Sequence, residues 1–424
     1  MLTAEQNERL TRTGPGTPMG EAMRRYWIPA LLSMELPEPD CPPVRVKLLG
    51  EDLVAFRDTS GRIGLLSEFC PHRRASLWLG RNEEDGLRCV YHGWKFDVSG
   101  QCVDQMNEPG QFDFSKKVRA NSYPVEEMGG LVWAYMGPSE SKPPLPDFEW
   151  TRVPEEQRTL TKVVQECNWL QALEGGVDTS HAPIMHRRLR EGVTLPGTPF
   201  QSAFVQGSAP LLELDETDYG YRYFGVRQLG EDRRYVRGYH FIMPFTQLRP
   251  PGLGLAEVHG HHWVPIDDES VMVYNWYYAY GDGPLAEEAQ DPQVSGNSFT
   301  TDIDINDGFR SYRNKSNDWM IDRQTQKTDT FTGIYGINTQ DRAVQESMGA
   351  IVDREQEHLG QADRAIIVTR RMLQQAIDVV KDGGQPAGTS PTYYDLRAAE
   401  CTLGADEDWR AALMPLMYPT GNAV

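Results

Sequence analysis

The chain has 424 residues, with 42 Lys and Arg against 61 Asp and Glu, giving a formal net charge of −19. That excess repels phosphates and argues against a nucleic-acid partner. Hydrophobic residues at 39% exclude wholesale disorder, and no apolar run approaches the roughly 20 residues that span a bilayer.

The length exceeds one ordinary core and predicts two or three domains. Residues 1–26 read as an N-terminal segment, a short polar helix ending in the turn Gly14-Pro15-Gly16-Thr17-Pro18-Met19-Gly20. No strand precedes those glycines, so they mark a turn and not a phosphate loop. From Val44 to Tyr135 short alternating runs are punctuated by turns: Val44–Leu49, Asp52–Arg57 with the hairpin turn Asp58-Thr59-Ser60-Gly61, Trp94–Asp97, and Gly130–Tyr135. This predicts a compact all-β domain over 27–150, with the Pro-rich stretch 137–146 as a linker.

Residues 151–424 predict a second domain. A helix is expected at 163–182, strands at 219–227, 234–243, 257–265 and 271–280, and helices at 340–351 and 360–381. Strands grouped before helices give an α+β class, an antiparallel sheet flanked by helices. The opening residues, Met1 to Glu8, are polar and acidic, unlike a secretory or transit peptide. With six cysteines sparse for a secreted scaffold, a reducing cytoplasmic setting is expected.

Two groups of residues carry chemistry. Cys70-Pro71-His72 is echoed by Cys89-Val90-Tyr91-His92, each half offering one thiolate and one imidazole from a loop. Tetrahedral zinc accepts the same four donors. A two-iron cluster with both cysteines on one iron and both histidines on the other fits the mixed halves better. Downstream, Asn168, Gln171, Glu174, Asp178 and His181 recur at spacings of three and four, a polar stripe on one helical face that leads to His186. His181 and His186 lie about 140° apart on a straight helix, but Pro183 between them ends or kinks it and can bring both imidazoles to one point. Two histidines and a carboxylate describe a non-haem Fe(II) site. Asp318, Asp322, Asp341 and Asp353 are candidates for the carboxylate, and Asp178 is placed to accept the other N–H of His181.

Cys70-Pro71-His72-Arg73 with Cys89-Val90-Tyr91-His92-Gly93-Trp94-Lys95-Phe96 resembles the Rieske signature of ring-hydroxylating oxygenases, and Tyr26-Trp27-Ile28-Pro29-Ala30 is similar to the run that opens their Rieske domain. Arg74 departs from the pattern, standing where many relatives carry glycine; an altered surface near the cluster is expected. The resemblance implies a [2Fe-2S] Rieske cluster on Cys70, His72, Cys89 and His92, and a catalytic domain of helix-grip type. It implies Fe(II) on His181, His186 and Asp341, since Gln340-Asp341-Arg342-Ala343-Val344-Gln345-Glu346-Ser347 resembles the helix that supplies the third ligand. It further implies that Asp178 bridges to a Rieske histidine of a neighbouring subunit in a trimer or stacked trimers. Such a chain is an oxygenase component using O2, with electrons from NAD(P)H arriving through a separate reductase or ferredoxin. Resemblance to the phthalate-dioxygenase-like group implies an aromatic acid substrate. Overall likeness leans to O-demethylation of a methoxylated, lignin-derived acid, with phthalate-type cis-dihydroxylation as the competing reaction. A Rieske electron carrier, or a zinc protein without oxygenase activity, is the rival of another class. An acid substrate needs arginines clustered against the global charge; Arg187, Arg188, Arg190, Arg222, Arg227, Arg237 and Arg249 are the candidates.

Overall fold

A computed structural model describes residues 2–189, 209–252, 255–285 and 295–421. They form two compact units: Thr13–Leu145, and Met1–Arg12 together with Pro146–Val424. The stretch 1–26, expected as one segment, is therefore divided. Its helix Ala4–Thr11 packs with the second unit through Asn7, which donates to the Val352 carbonyl at 3.0 Å, and through Arg9, which donates to Gln374 at 2.9 Å.

The first unit is all β. Three antiparallel sheets are built from Trp27–Leu32, Leu131–Tyr135 and Val125–Met128; from Val44–Leu48, Glu51–Arg57 and Ile63–Ser67; and from Arg81–Glu83, Gly86–Arg88, Trp94–Phe96 and Cys102–Gln105. Val54, Phe56, Leu66, Leu77, Leu87 and Phe96 form a core that also buries Cys70 and Cys89.

The second unit is built on one large sheet. Its order is Leu211–Glu216, Gly220–Leu229, Arg233–Ile242, Thr246–Arg249, Glu257–Pro265, Val271–Ala279, Arg158–Gln165, then the short Arg310–Ser311 and Ile303–Asp304, while Ala399–Gly404 pairs with Arg233–Ile242. All pairings are antiparallel except Val164 with Arg310. The later helices Ile337–Ser347 and Arg364–Lys381 pack against the helix Trp169–Val177.

The expected helix over 163–182 is corrected. Residues 163–165 end the strand Arg158–Gln165, and the helix begins only after Asn168, whose side chain caps the Leu170 N–H at 3.1 Å. It ends at Val177, because Asp178 is extended and turns its carboxylate to the Ser180 N–H at 2.7 Å. A second short helix, Ala182–Met185, follows with His181 as its N-cap residue and Pro183 in its first turn, where the missing N–H costs nothing. Pro183 thus starts a helix and does not kink a continuous one.

The polar stripe faces inward for most of its length. The Gln171 amide donates to the carbonyls of Gln345 (3.0 Å) and Gly349 (2.8 Å) and accepts from the Val352 N–H at 3.0 Å. Glu174 is clasped by two buried guanidiniums, Arg354 (Nη2, 2.8 Å) and Arg370 (Nε, 2.6 Å). Burial opposes the charge of Glu174, but the two arginines outweigh it and hold its carboxyl below the usual range. Gly176 lies flat against Trp263: a Cβ there would come within 2.1 Å of the indole, so the helix sits directly on the strand Glu257–Pro265.

Candidate active site

Two loops of matching build carry the first group. In each, the cysteine carbonyl accepts from the N–H four residues on, Arg74 to Cys70 and Gly93 to Cys89, both at 2.9 Å. Arg74 (φ +63°) and Gly93 (φ +77°) occupy the same left-handed corner. That corner is the physical reason for glycine there, and Arg74 holds it with its guanidinium 4.8 Å over the Phe69 ring. The two thiols influence each other in opposite directions: Cys70 lowers Cys89 to about 6, with further help from the Tyr91 and His92 N–H groups, while Cys89 and burial raise Cys70. The His72 and His92 rings meet edge to face at 4.4 Å, and Trp94 stacks on His72 at 4.3 Å. Sulfur thus lies with sulfur and imidazole with imidazole. Tetrahedral zinc needs all four donors within about 3.8 Å of one another. Among the described residues, the group of three or more ligand atoms mutually within 4.8 Å is His181, His186 and Asp341, not these four. A two-metal cluster suits their wider spread.

At the second group, Nε2 of His181 and Nε2 of His186 approach the same oxygen, Asp341 Oδ1, at 3.3 and 3.4 Å. Asp341 comes from the helix Ile337–Ser347, whereas the histidines flank the short helix after Asp178. Asp318, Asp322 and Asp353 lie elsewhere: Asp322 caps the helix Arg323–Thr328, Asp353 holds the Glu355 N–H, and Asp318 sits in a turn with φ +51°. The outer nitrogens are engaged as well. Asp178 Oδ2 meets His181 Nδ1 at 3.1 Å, and Gln340 Oε1 meets His186 Nδ1 at 2.8 Å. Gln340 was not singled out in the sequence as a functional residue; its place beside Asp341 was the available signal. Burial disfavours protonated His181, yet its bond to Asp178 and the nearby carboxylate of Asp341 prevail and push it up to about 10. Desolvation opposes the charge of the half-buried Asp341, but the two imidazoles outweigh it and hold the carboxyl far below the ordinary carboxylate range. Asp341 Oδ1 has no hydrogen-bond partner within the protein. Three converging donors around an orphaned oxygen, in a pocket that pulls in positive charge, suit a divalent cation of the 2-His-1-carboxylate type.

The sheet supplies the wall beside these residues. Gln247 donates to the Gly176 carbonyl at 2.7 Å, the Tyr239 and Thr179 hydroxyls meet at 2.7 Å, and Arg227 donates to the Thr179 carbonyl at 2.8 Å. These side chains therefore mark the sheet face beneath the segment 176–179. Antiparallel register puts Arg237, Arg249, His259, His261, Asn275 and Tyr277 on the same face. His261 is buried and His259 largely so, and both are held neutral, well below the ordinary imidazole pKa, by desolvation first and then by Arg249. Arg237 lies 3.6 Å from Glu400. Arg227 is buried with Nη1 unpaired, and Nε of the half-buried Arg249 is also shielded and unpaired; among the described residues neither arginine pairs with a carboxylate. The other candidates do not join this face. Arg222 pairs with Asp215 at 3.0 Å, Arg188 pairs with Asp329 at 3.2 Å, Arg187 stacks on Phe331, and Arg190 lies outside the described residues. The aromatic run 274–278 splits by alternation: Tyr277 stacks on His259, while Trp276 packs with Trp150 and His262.

Comparison with known proteins agrees with this architecture. Residues 26–123 match the Rieske [2Fe-2S] domain and residues 134–416 the LigXa C-terminal domain-like family. The chain belongs to the Rieske oxygenases, as an oxygenase subunit with a LigXa-like C-terminal domain. It is 38% identical to a phthalate 4,5-dioxygenase oxygenase subunit of Pseudomonas putida, over 97% of this chain and 94% of that one. It is 39% identical to a 3-chlorobenzoate-3,4-dioxygenase oxygenase subunit of Comamonas testosteroni (97% and 98%), and 34% identical to a 5,5'-dehydrodivanillate O-demethylase oxygenase subunit of a Sphingobium strain (91% and 83%). Among solved structures, NdmA of Pseudomonas putida CBB5, a QL mutant with theobromine, shares the fold with a TM-score of 0.61 at 20% identity, covering 92% of this chain and 99% of that one.

Proposed function

We propose that this oxygenase subunit oxidises an aromatic carboxylic acid. Cys70, His72, Cys89 and His92 hold the [2Fe-2S] cluster, and His181, His186 and Asp341 hold Fe(II). The observation that carries the substrate class is the sheet face beside Asp341, where Arg227 is buried and Arg249 half-buried, neither with a carboxylate partner among the described residues. Against a net charge of −19, two such guanidiniums in a polar wall are anion binders.

When bound, Fe(II) supplies the redox partner that activates O2 beside the substrate. The chain's own residues do the rest. Asp178 accepts the Nδ1–H of His181, which keeps the lone pair on Nε2. Arg249 and Arg227 fix the acid by its carboxylate, and Tyr239, Trp263 and Tyr277 exclude water from the ring. Electrons from NAD(P)H reach the cluster through a separate reductase or ferredoxin. Asp178 links the two metal sites across subunits of a trimer or stacked trimers. The four thiols outside the cluster, Cys41, Cys102, Cys167 and Cys401, suit the reducing cytoplasm, and no helix among the described residues is long and apolar enough to cross a membrane.

Ring cis-dihydroxylation is the first reading of the reaction, because both dioxygenase relatives align over 97% of the chain at 38 and 39% identity. O-demethylation, towards which the overall sequence likeness leaned, is the second, supported by the 34% identical O-demethylase subunit. Turnover of a panel of aromatic acids with reductase and O2 tests both: a cis-diol signals the first and formaldehyde the second. Equal turnover of neutral aromatics refutes the carboxylate requirement, and His181→Ala with undiminished turnover refutes the iron site.

A further inference from the structure

We propose that Gln340 is a positioning residue that fixes the ring orientation and tautomer of His186 and so presents its Nε2 lone pair to the metal. This rests on the reading of His181, His186 and Asp341 as an Fe(II) site. The argument is one of donors and acceptors. Gln340 Nε2 lies 2.9 Å from the Ile334 carbonyl, which can only accept, so the amide must turn its NH2 there. Its oxygen is then committed to the other side, where it meets His186 Nδ1 at 2.8 Å. An amide oxygen also only accepts, so Nδ1 carries the proton. The lone pair is left on Nε2, the atom that faces Asp341 Oδ1 at 3.4 Å.

Local structure makes this orientation durable. Ile334 lies three residues before the start of the helix Ile337–Ser347, and Gly336 turns the chain at φ +81° so that the loop closes over the first turn. Gln340 is buried, so water does not compete for its amide. One helical turn thus does two jobs: Asp341 offers a ligand atom, and its neighbour Gln340 aims another.

The two histidines are held by different chemistry. His181 leans on the carboxylate of Asp178 and His186 on a neutral amide. With Asp178 and Asp341 ionised, two negative charges balance a divalent cation. A neutral residue at 340 avoids adding a third where an anionic substrate must approach.

The test uses the full-length protein with its cluster intact, freed of mononuclear iron and titrated anaerobically with Fe(II) by calorimetry. Gln340→Met removes the acceptor at similar volume; Gln340→Glu keeps an acceptor for His186 but loses the donor to Ile334. The expected result is a Kd about 10–100-fold higher for the Met variant and within about threefold of the parent for the Glu variant. The Rieske EPR signal is unchanged in both. A Met variant that binds Fe(II) as tightly as the parent overturns the proposal. So does a Glu variant that loses tenfold or more, since that assigns Gln340 to the loop bond alone; this arm decides by itself if the Met variant does not fold. A parent that takes up no iron beyond its cluster overturns the metal site, and this inference with it.

Discussion

Replacing Glu174 with glutamine removes one charge from a buried cluster of four and tests what holds the helix before Asp178. Glu174 accepts from Arg354 through Nε (3.2 Å) and Nη2 (2.8 Å) and from Arg370 through Nε (2.6 Å). Arg370 keeps a second carboxylate, Glu357, through two bonds of 2.7 and 3.0 Å. Arg354 does not: its side chain is 0% exposed, and its remaining partner is the Asn7 amide oxygen at 2.9 Å. The cost therefore falls on one buried guanidinium left without a counter-charge, about 3–5 kcal/mol. At about 2–4 °C per kcal/mol for a unit of this size, calorimetric melting should drop by about 6–20 °C. Because the cluster is buried, the loss should be nearly the same at low and high salt. Glu174→Leu combined with Arg354→Met removes both charges and should recover most of the loss. A loss under about 1 kcal/mol, or one that vanishes in high salt, refutes the reasoning.

Three other outcomes follow from the geometry. Arg74→Gly relieves a left-handed corner costing about 1–2 kcal/mol and forfeits a cation–π contact worth about 0.5–1, so the Rieske unit should gain up to about 1 kcal/mol in denaturant unfolding; a clear loss contradicts the strain argument. Arg249→Met should raise KM for the aromatic acid by about 10–100-fold, the worth of a charge-assisted bond, and leave kcat for neutral analogues alone; an unchanged KM removes Arg249 from the site. Burial holds His240 neutral, its pKa lowered to about 3 from 6.5. The unfolded chain therefore takes up a proton below pH 6.5 that the native state refuses, so stability is level above that pH and falls below it by up to about 1.4 kcal/mol per pH unit from this residue. Urea unfolding at pH 7.5 and 5 checks the sign, and His240→Asn should narrow the gap.

The sequence revealed chemistry more readily than assembly. The cluster loops could be read because ligand identity and spacing are local properties. His181 and His186 could be read because Pro183 stands between them, although it begins a helix where the end or a kink of one was expected. Asp341 required resemblance: four aspartates had equal standing by composition, and only tertiary packing brings the helix Ile337–Ser347 to the histidines. The stripe Asn168, Gln171, Glu174 has the spacing of a solvated helical face, and it is buried because Arg354, Arg370 and the end of that later helix supply its partners. The helix expected over 163–182 is too long at both ends: Asn168, the first residue of the polar stripe, is a cap, and Asp178 and His181 lie beyond the last turn. Arg249 stood among seven arginines until strand register gave it a face.

The division of the chain bears on the order in which it is made. Residues 13–145 form a contiguous unit, whereas the unit around Asp341 is interrupted by it. The helix Ala4–Thr11 is made before the all-β unit, but at eight residues it is too short to persist alone in water. Its partners, the Val352 carbonyl, Arg354 and Gln374, are synthesised more than 300 residues later, a delay of about 20–70 s at typical elongation rates. The all-β unit can finish folding during that wait. The first helix closes onto the second unit only once residues 352–374 have been made, so a truncation before them, or slow folding of the helix Arg364–Lys381, leaves Arg354 short of its last partner and the turn before His181 poorly anchored.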